Sequence, residues 1–123
     1  MEPLIIQGTE DTPKIQFDPD KGMLIFSGKS LPEDTHIFFN ELKIWIVEYM
    51  KAPKLPTTLE FKLKYFNTAT SKIFIDLLIT FVEELGPENV IVNWYYSNDD
   101  DEMQEIGEDL SETTDIPFNY YSY

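Results

Sequence analysis

The sequence predicts an α/β fold in which a mixed β-sheet, antiparallel at its start and parallel later, carries about three helices. Residues 14–18 and 23–28 alternate apolar and polar side chains around Pro19-Asp20-Lys21-Gly22. The proline presets φ and the glycine is free to take φ > 0, so the two runs form a hairpin. Further along, two runs read strand, helix, strand, which implies right-handed crossovers between parallel neighbours. No repeat or linker interrupts the 123 residues, so the expectation is one domain over 1–123 with its own core.

In chain order, Leu4-Ile5-Ile6 is a short apolar run suited to a sheet edge, and the polar turn at 8–13 separates it from the hairpin. Ser30-Leu31-Pro32-Glu33 then has the form of a capping box, with Ser30 as cap, proline in the first turn and Glu33 three residues on. The helix it opens places Phe38, Leu42, Trp45 and Tyr49 on a core stripe with Ile46 beside it, and ends near Met50 before Pro53 and Pro56. Residues 58–65 follow as a strand with Leu59, Phe61, Leu63 and Tyr65 on one face and Glu60, Lys62 and Lys64 on the other. A long apolar helix over 68–85 stops at Gly86-Pro87. Residues 90–95 have the β-branched and aromatic content of a central strand. A third helix over 101–110 is weak, with only Met103, Ile106 and Leu110 apolar and Gly107 interrupting it. Residues 116–120 make a last strand or an extended tail.

Composition narrows the function. There is no cysteine and one histidine, His36, which excludes disulfides, thiolate chemistry and any two-histidine metal site. His36 reads as a surface or half-buried polar residue. Residues 1–72 hold 9 lysines and 10 acids, whereas residues 73–123 hold 13 acids and no base. Such a chain repels nucleic acid and anionic lipid, and favours a protein partner with a basic surface. The N-terminus has no signal-peptide pattern, and Asp76 and Thr80 interrupt the longest apolar run, so the expected protein is cytoplasmic with no membrane insertion. Enzyme readings find no support: no carboxylate pair sits in an apolar setting, no glycine-rich phosphate loop is present, and residues 98–102 lack the glycine and distal glutamate of a calcium loop. No cofactor is expected.

The remaining candidate is the junction Asn67-Thr68-Ala69-Thr70-Ser71, where a strand hands over to a helix N-terminus and backbone N–H groups are free to meet an anion. One of these residues suffices as a cap. At 100° per residue, Ile73, Phe74, Leu77, Leu78, Phe81 and Leu85 fill one side of the helix, while Ile75, Ile79 and Val82 fall within roughly 40° of Thr68 and Lys72. Together with Tyr65 at the strand end, Lys72, Ile75 and Ile79 form a candidate docking surface headed by Thr68. A negative group on Thr68 is tolerated by the free N–H groups and Lys72, with Asn67, Thr70 and Ser71 as supporting caps, yet is felt by any partner docked over it.

IIQGTEDTPKI near the N-terminus, GKSLPEDTHIFF at the first helix and above all LEFKLKYFNTATSK resemble the SiaC family of bacterial regulatory phosphoproteins, with YFNTATS the most specific piece. The resemblance covers most of the chain in order and implies a STAS-like domain, similar to anti-sigma-factor antagonists, that acts by partner switching. It implies that Thr68 is the phospho-acceptor, phosphorylated by a SiaB-type Ser/Thr kinase and dephosphorylated by a PP2C-type, SiaA-like phosphatase. It further implies that the unphosphorylated form binds and activates a diguanylate cyclase, in cyclic-di-GMP signalling. The alternative is an acidic binding module without phospho-control, acting through the stretch from Asp99 to Asp115.

Overall fold

The structure, a computed structural model, describes residues 1–123. Its elements are β1 (Leu4–Ile6), β2 (Lys14–Asp18), β3 (Met23–Ser30), α1 (Thr35–Tyr49), β4 (Thr57–Phe66), α2 (Thr68–Leu85), a 3-10 turn (Pro87–Asn89), β5 (Val90–Tyr96), α3 (Asp101–Thr114) and β6 (Asn119–Ser122). The six strands lie side by side in sequence order. β1, β2 and β3 pair antiparallel, and β3 through β6 pair parallel. The mixed sheet and three helices expected from the sequence are therefore present.

Each parallel pair is joined by one helix, and all three crossovers step the same way across the sheet. With a common right hand they place α1, α2 and α3 on one face. Burial follows that rule. The inward row Ile15, Phe26, Phe61 and Trp94 is buried under the helices, while the outward neighbours Gln16, Ile25 and Asn93 stay half-exposed. On the open face Glu60 accepts from Asn93 Nδ2 at 3.1 Å, and Asn119 Nδ2 donates to Asn93 Oδ1 at 3.1 Å. The core is strongly aromatic. Phe74 of α2 packs its ring against Phe26, Phe39, Phe61 and Phe66 with centroids 4.9–6.1 Å apart.

Four elements differ from the sequence expectation, α1 and β4 for tertiary reasons and α3 and β6 for local ones. Ser30 does not cap α1; it is the last residue of β3 and fully buried, and Asp34 caps the helix by accepting from the Ile37 N–H at 3.1 Å. On that helix Phe39 is the fully buried ring of the core stripe, where Phe38 was expected, and Phe38 is half-buried against the core. In β4 the pairing with β3 shifts by one: Gly28 faces Leu63 but Lys29 faces Tyr65, so Lys64 is an extra residue. Gly28 takes φ 91° beside the shift, a backbone state in which a Cβ is strained. Past Lys64 the alternation inverts, so Tyr65 is 52% exposed and not inward with Leu63, and Phe66 packs against Phe74 and Trp94. α3 runs four residues beyond 110 to Thr114, closed by Asp115 in the left-handed region at φ 58°. The last strand is Asn119–Ser122, with Pro117, which has no N–H to give a ladder, left outside it.

The weak-looking α3 is held by its caps and by Trp94. Asp100 accepts from the Met103 N–H, and Asp101 and Glu102 occupy the first turn, where the helix dipole favours acids. Gly107 does not break the helix. A Cβ there would lie 2.5 Å from the Trp94 indole, so only glycine lets α3 close onto β5.

Candidate functional site

Because β3 and β4 run parallel, the helices that follow them start at the same end of the sheet. The first turns of α1 and α2 thus stand together, beyond the carboxyl ends of the strands. Between them lies a cleft of about 450 Å³ lined by Thr35, His36, Thr68, Ala69, Lys72, Ile73 and Asp76.

The junction is built from the Asn67–Ser71 segment upward. Asn67 is the N-cap of α2, in extended backbone, and its side-chain oxygen accepts from the Thr70 N–H at 2.8 Å. Its carbonyl accepts from the Ser71 N–H at 3.0 Å. The cap therefore leaves the N–H groups of Thr68 and Ala69 unclaimed at the start of the helix. Asn67 is itself tied down by its own N–H, which donates to the Ser30 carbonyl at 3.1 Å.

The hydroxyls at this junction part ways. Thr70 is fully buried, with Oγ1 2.9 Å from Ser30 Oγ and 3.3 Å from the Ser30 carbonyl. It clips the first turn of α2 to the end of β3 and offers nothing to solvent. Ser71 is half-buried, whereas Thr68 is exposed. Lys72, one turn on, is also exposed and forms no ion pair; the sole ion pair in the chain is Lys51–Glu48. His36 reaches the same cleft from α1 and stands on the surface, as its sequence context suggested. Only the pairing of two parallel crossovers brings it beside Thr68, and no local pattern in the sequence signals that.

The clip has a measurable consequence. Thr70→Val keeps the side-chain volume but strands the buried Ser30 hydroxyl, which costs about 1–3 kcal/mol. Urea unfolding is expected to show that loss, and Ser30→Ala combined with Thr70→Val should recover part of it. Equal stabilities for Thr70→Val and the unsubstituted chain would mean that the clip contributes nothing.

The sequence-predicted docking residues are not all in one place. Tyr65 lies in a second cleft with Lys64, Phe66, Asp100, Glu102, Met103 and Ile106, on the α3 side of the α2 start. Lys72 lies on the α1 side. Ile75 and Val82 are half-buried against the core, on a helix flanked by a neighbour on each side. Ile79 is 37% exposed and, with Lys72 and Thr68, forms what remains of an outward strip. No helix is long and apolar enough to cross a membrane.

A family model described as SiaC family regulatory phosphoprotein matches residues 6–123. An uncharacterized protein of Pseudomonas aeruginosa (strain UCBPP-PA14) is 31% identical over 119 residues, which cover 96% of this chain and 94% of that protein. Among solved structures, SiaC of Pseudomonas aeruginosa is 30% identical, with a TM-score of 0.87 over 100% of both chains. A chain in the crystal structure of the diguanylate cyclase SiaD in complex with its activator SiaC, from the same organism, is also 30% identical. Its TM-score is 0.88, with 98% of this chain and 99% of that one covered.

Proposed function

Because the chain belongs to the SiaC family of regulatory phosphoproteins, we propose that it is a non-enzymatic switch whose binding to a diguanylate cyclase is set by phosphorylation of Thr68. The observation that carries this reading is the contrast between neighbouring hydroxyls: Thr70 is spent on a buried clip, and Thr68 stands exposed at the helix start beside an unpaired Lys72. A phosphate on Thr68 adds close to two negative charges where the unclaimed N–H groups, the positive end of the helix dipole and Lys72 stabilise it. The fold is then preserved while the surface changes sign locally, which is what a binding switch requires.

The partners follow from that reading. A SiaB-type kinase adds the phosphate, a PP2C-type phosphatase removes it, and the unmodified form engages the cyclase in the cytoplasm. The solved complex of a relative, the activator SiaC with the cyclase SiaD, supports the cyclase as the output. Lys72 and Ile79 are the proposed contact residues beside Thr68, Tyr65 would meet the partner from the separate α3-side cleft and Ile75 only by its exposed edge, with Asn67, Thr70 and Ser71 holding Thr68 in place.

Thr68→Ala is expected to fold normally and to accept no phosphate from the cognate kinase, as read by intact-mass spectrometry. Stoichiometric labelling of that variant, mapped to Ser71 or Thr70, would falsify the assignment. A second reading rests on α3, whose Asp101, Glu102, Glu105, Glu108, Asp109 and Glu112 are all exposed with no base on the helix. Under it, partner binding depends steeply on salt and on the acids from Asp99 to Asp115, and ignores Thr68.

A further inference from the structure

We propose that His36 is a phosphate-binding residue of the switch, closing across the cleft between α1 and α2 onto a phosphothreonine at position 68. That role rests on Thr68 as the modified residue, and adds the group that receives its phosphate. α2 lines the cleft with Thr68, Ala69, Lys72, Ile73 and Asp76, which share one side of the helix. α1 answers with Thr35 and His36 from its first turn. Thr35 and Ile73 are buried and form the floor. Thr68, His36 and Lys72 are exposed and form the rim. The Thr68 hydroxyl therefore has an imidazole across the cleft and an ammonium one turn along its own helix.

The charges around His36 decide what it can bind. From α2 these are Lys72 and Asp76, and from its own end of α1 they are Glu33 and Asp34. The Asp34 carboxylate is engaged as the helix cap, accepting from the Ile37 N–H at 3.1 Å. Asp76 lies two turns beyond Thr68, about 12 Å along the helix, whereas Lys72 is half as far. Neither His36 nor Lys72 has a carboxylate within ion-pair distance, since the sole ion pair is Lys51–Glu48. Both are free to turn toward a group at position 68. A phosphothreonine there offers three acceptor oxygens on a longer arm, so one oxygen can accept from the imidazole while another accepts from the ammonium. The imidazole contact is strongest where the phosphate has lost its second proton and the ring still holds its own, a window of about pH 6–7. Above it the ring is neutral and only the Lys72 contact persists. Within it, the modification ties the start of α1 to the start of α2.

The test places phosphothreonine directly at position 68 of the full chain by genetic encoding, and follows its phosphorus resonance against pH. A neighbouring cation favours the dianion, so it lowers the midpoint for loss of the second proton from its usual value of about pH 6. His36→Gln keeps a polar side chain but carries no charge. It is expected to raise that midpoint by at least about 0.3 pH unit, and Lys72→Gln is expected to raise it as well. Lys21→Gln, in the hairpin turn at the other end of the sheet, also removes a charge and should leave the midpoint where it was. At about pH 6.5 the phosphorylated chain should melt above its His36→Gln variant, while the two unmodified chains melt alike. The proposal is overturned if His36→Gln titrates as the parent does, or if Lys21→Gln raises the midpoint as much. It is also overturned if the unmodified chains differ in melting as much as the phosphorylated ones, since His36 then acts in the fold and not on the phosphate. Because the phosphate is placed without the kinase, an unchanged titration counts against His36 alone. A kinase that labels another residue counts against Thr68 as the switch, and against this role with it.

Discussion

Thr68→Glu is expected to weaken binding to the cognate diguanylate cyclase by at least about 100-fold, while Thr68→Ala binds it as the unsubstituted chain does. The size follows from desolvation. Thr68 is exposed in the free protein, so a carboxylate there is hydrated and has Lys72 one turn away. Covering it with a partner removes that water, and an unpaired charge buried at an interface costs several kcal/mol. A carboxylate carries one charge where a phosphothreonine carries nearly two, so the glutamate effect is a lower bound for the modification itself. Calorimetric titration of the purified pair measures both variants. Equal affinities for Thr68→Glu and Thr68→Ala would sink the proposal that the switch works by blocking contact at this residue. The glutamate variant must also keep its melting temperature within a degree or two of the parent, since nothing inside the core touches that side chain.

Phe74→Ala is expected to destabilise the fold more than any substitution at the candidate site. Phe74 is fully buried one turn after Thr70, and its ring meets four other phenylalanines from β3, α1 and β4. Truncating such a residue removes the transfer energy of the ring and leaves a cavity that rigid aromatic neighbours cannot close, a loss of about 3–5 kcal/mol. Against a total stability of about 5–15 kcal/mol for a domain, that lowers the melting temperature by more than about 10 °C. Circular dichroism melts measure it. A loss below about 1 kcal/mol would mean that β3, α1 and β4 repack around the gap, and that the aromatic cluster is less tightly specified than its geometry implies.

The contrast between these two residues, six positions apart on one helix, shows what could be read from the sequence. α2 was legible to the residue, Thr68–Leu85, because its caps are local: asparagine before it, glycine after it, and an apolar face with a helical period. The hairpin was legible for the same reason, since Pro19 to Gly22 decides its turn without help from the rest of the chain. Ser30 was not. Its sequence surroundings satisfy a capping box, yet a hydroxyl 40 residues later takes it into the core, and Asp34 caps α1 in its place. Phe38 was expected on the core stripe, but Phe39 is the fully buried ring. Tyr65 was misplaced because a strand pattern counts residues in twos and cannot see an unpaired one. At the candidate site, Thr68 was visible from its position at a helix start and from the family resemblance. His36 entered the same cleft only through the parallel pairing of β3 and β4, a long-range arrangement with no local signature.

Lys64 is skipped in the ladder between β3 and β4, whose partners pass from Gly28–Leu63 directly to Lys29–Tyr65. The side chains before it and after it face opposite sides by virtue of that one insertion. A chain without Lys64 would pair Leu63, Tyr65 and Phe66 with the same Gly28, Lys29 and Ser30 in plain alternation, so Phe66 would stay in the aromatic cluster and Tyr65 outside it. What the extra residue changes is the local bend and twist of the strand, not the side to which Phe66 and the junction after it turn. Keeping all ten residues but pairing them without the skip would instead turn Tyr65 inward and Phe66 outward, so it is the bulge, and not the residue count, that orients the approach to Asn67 and Thr68.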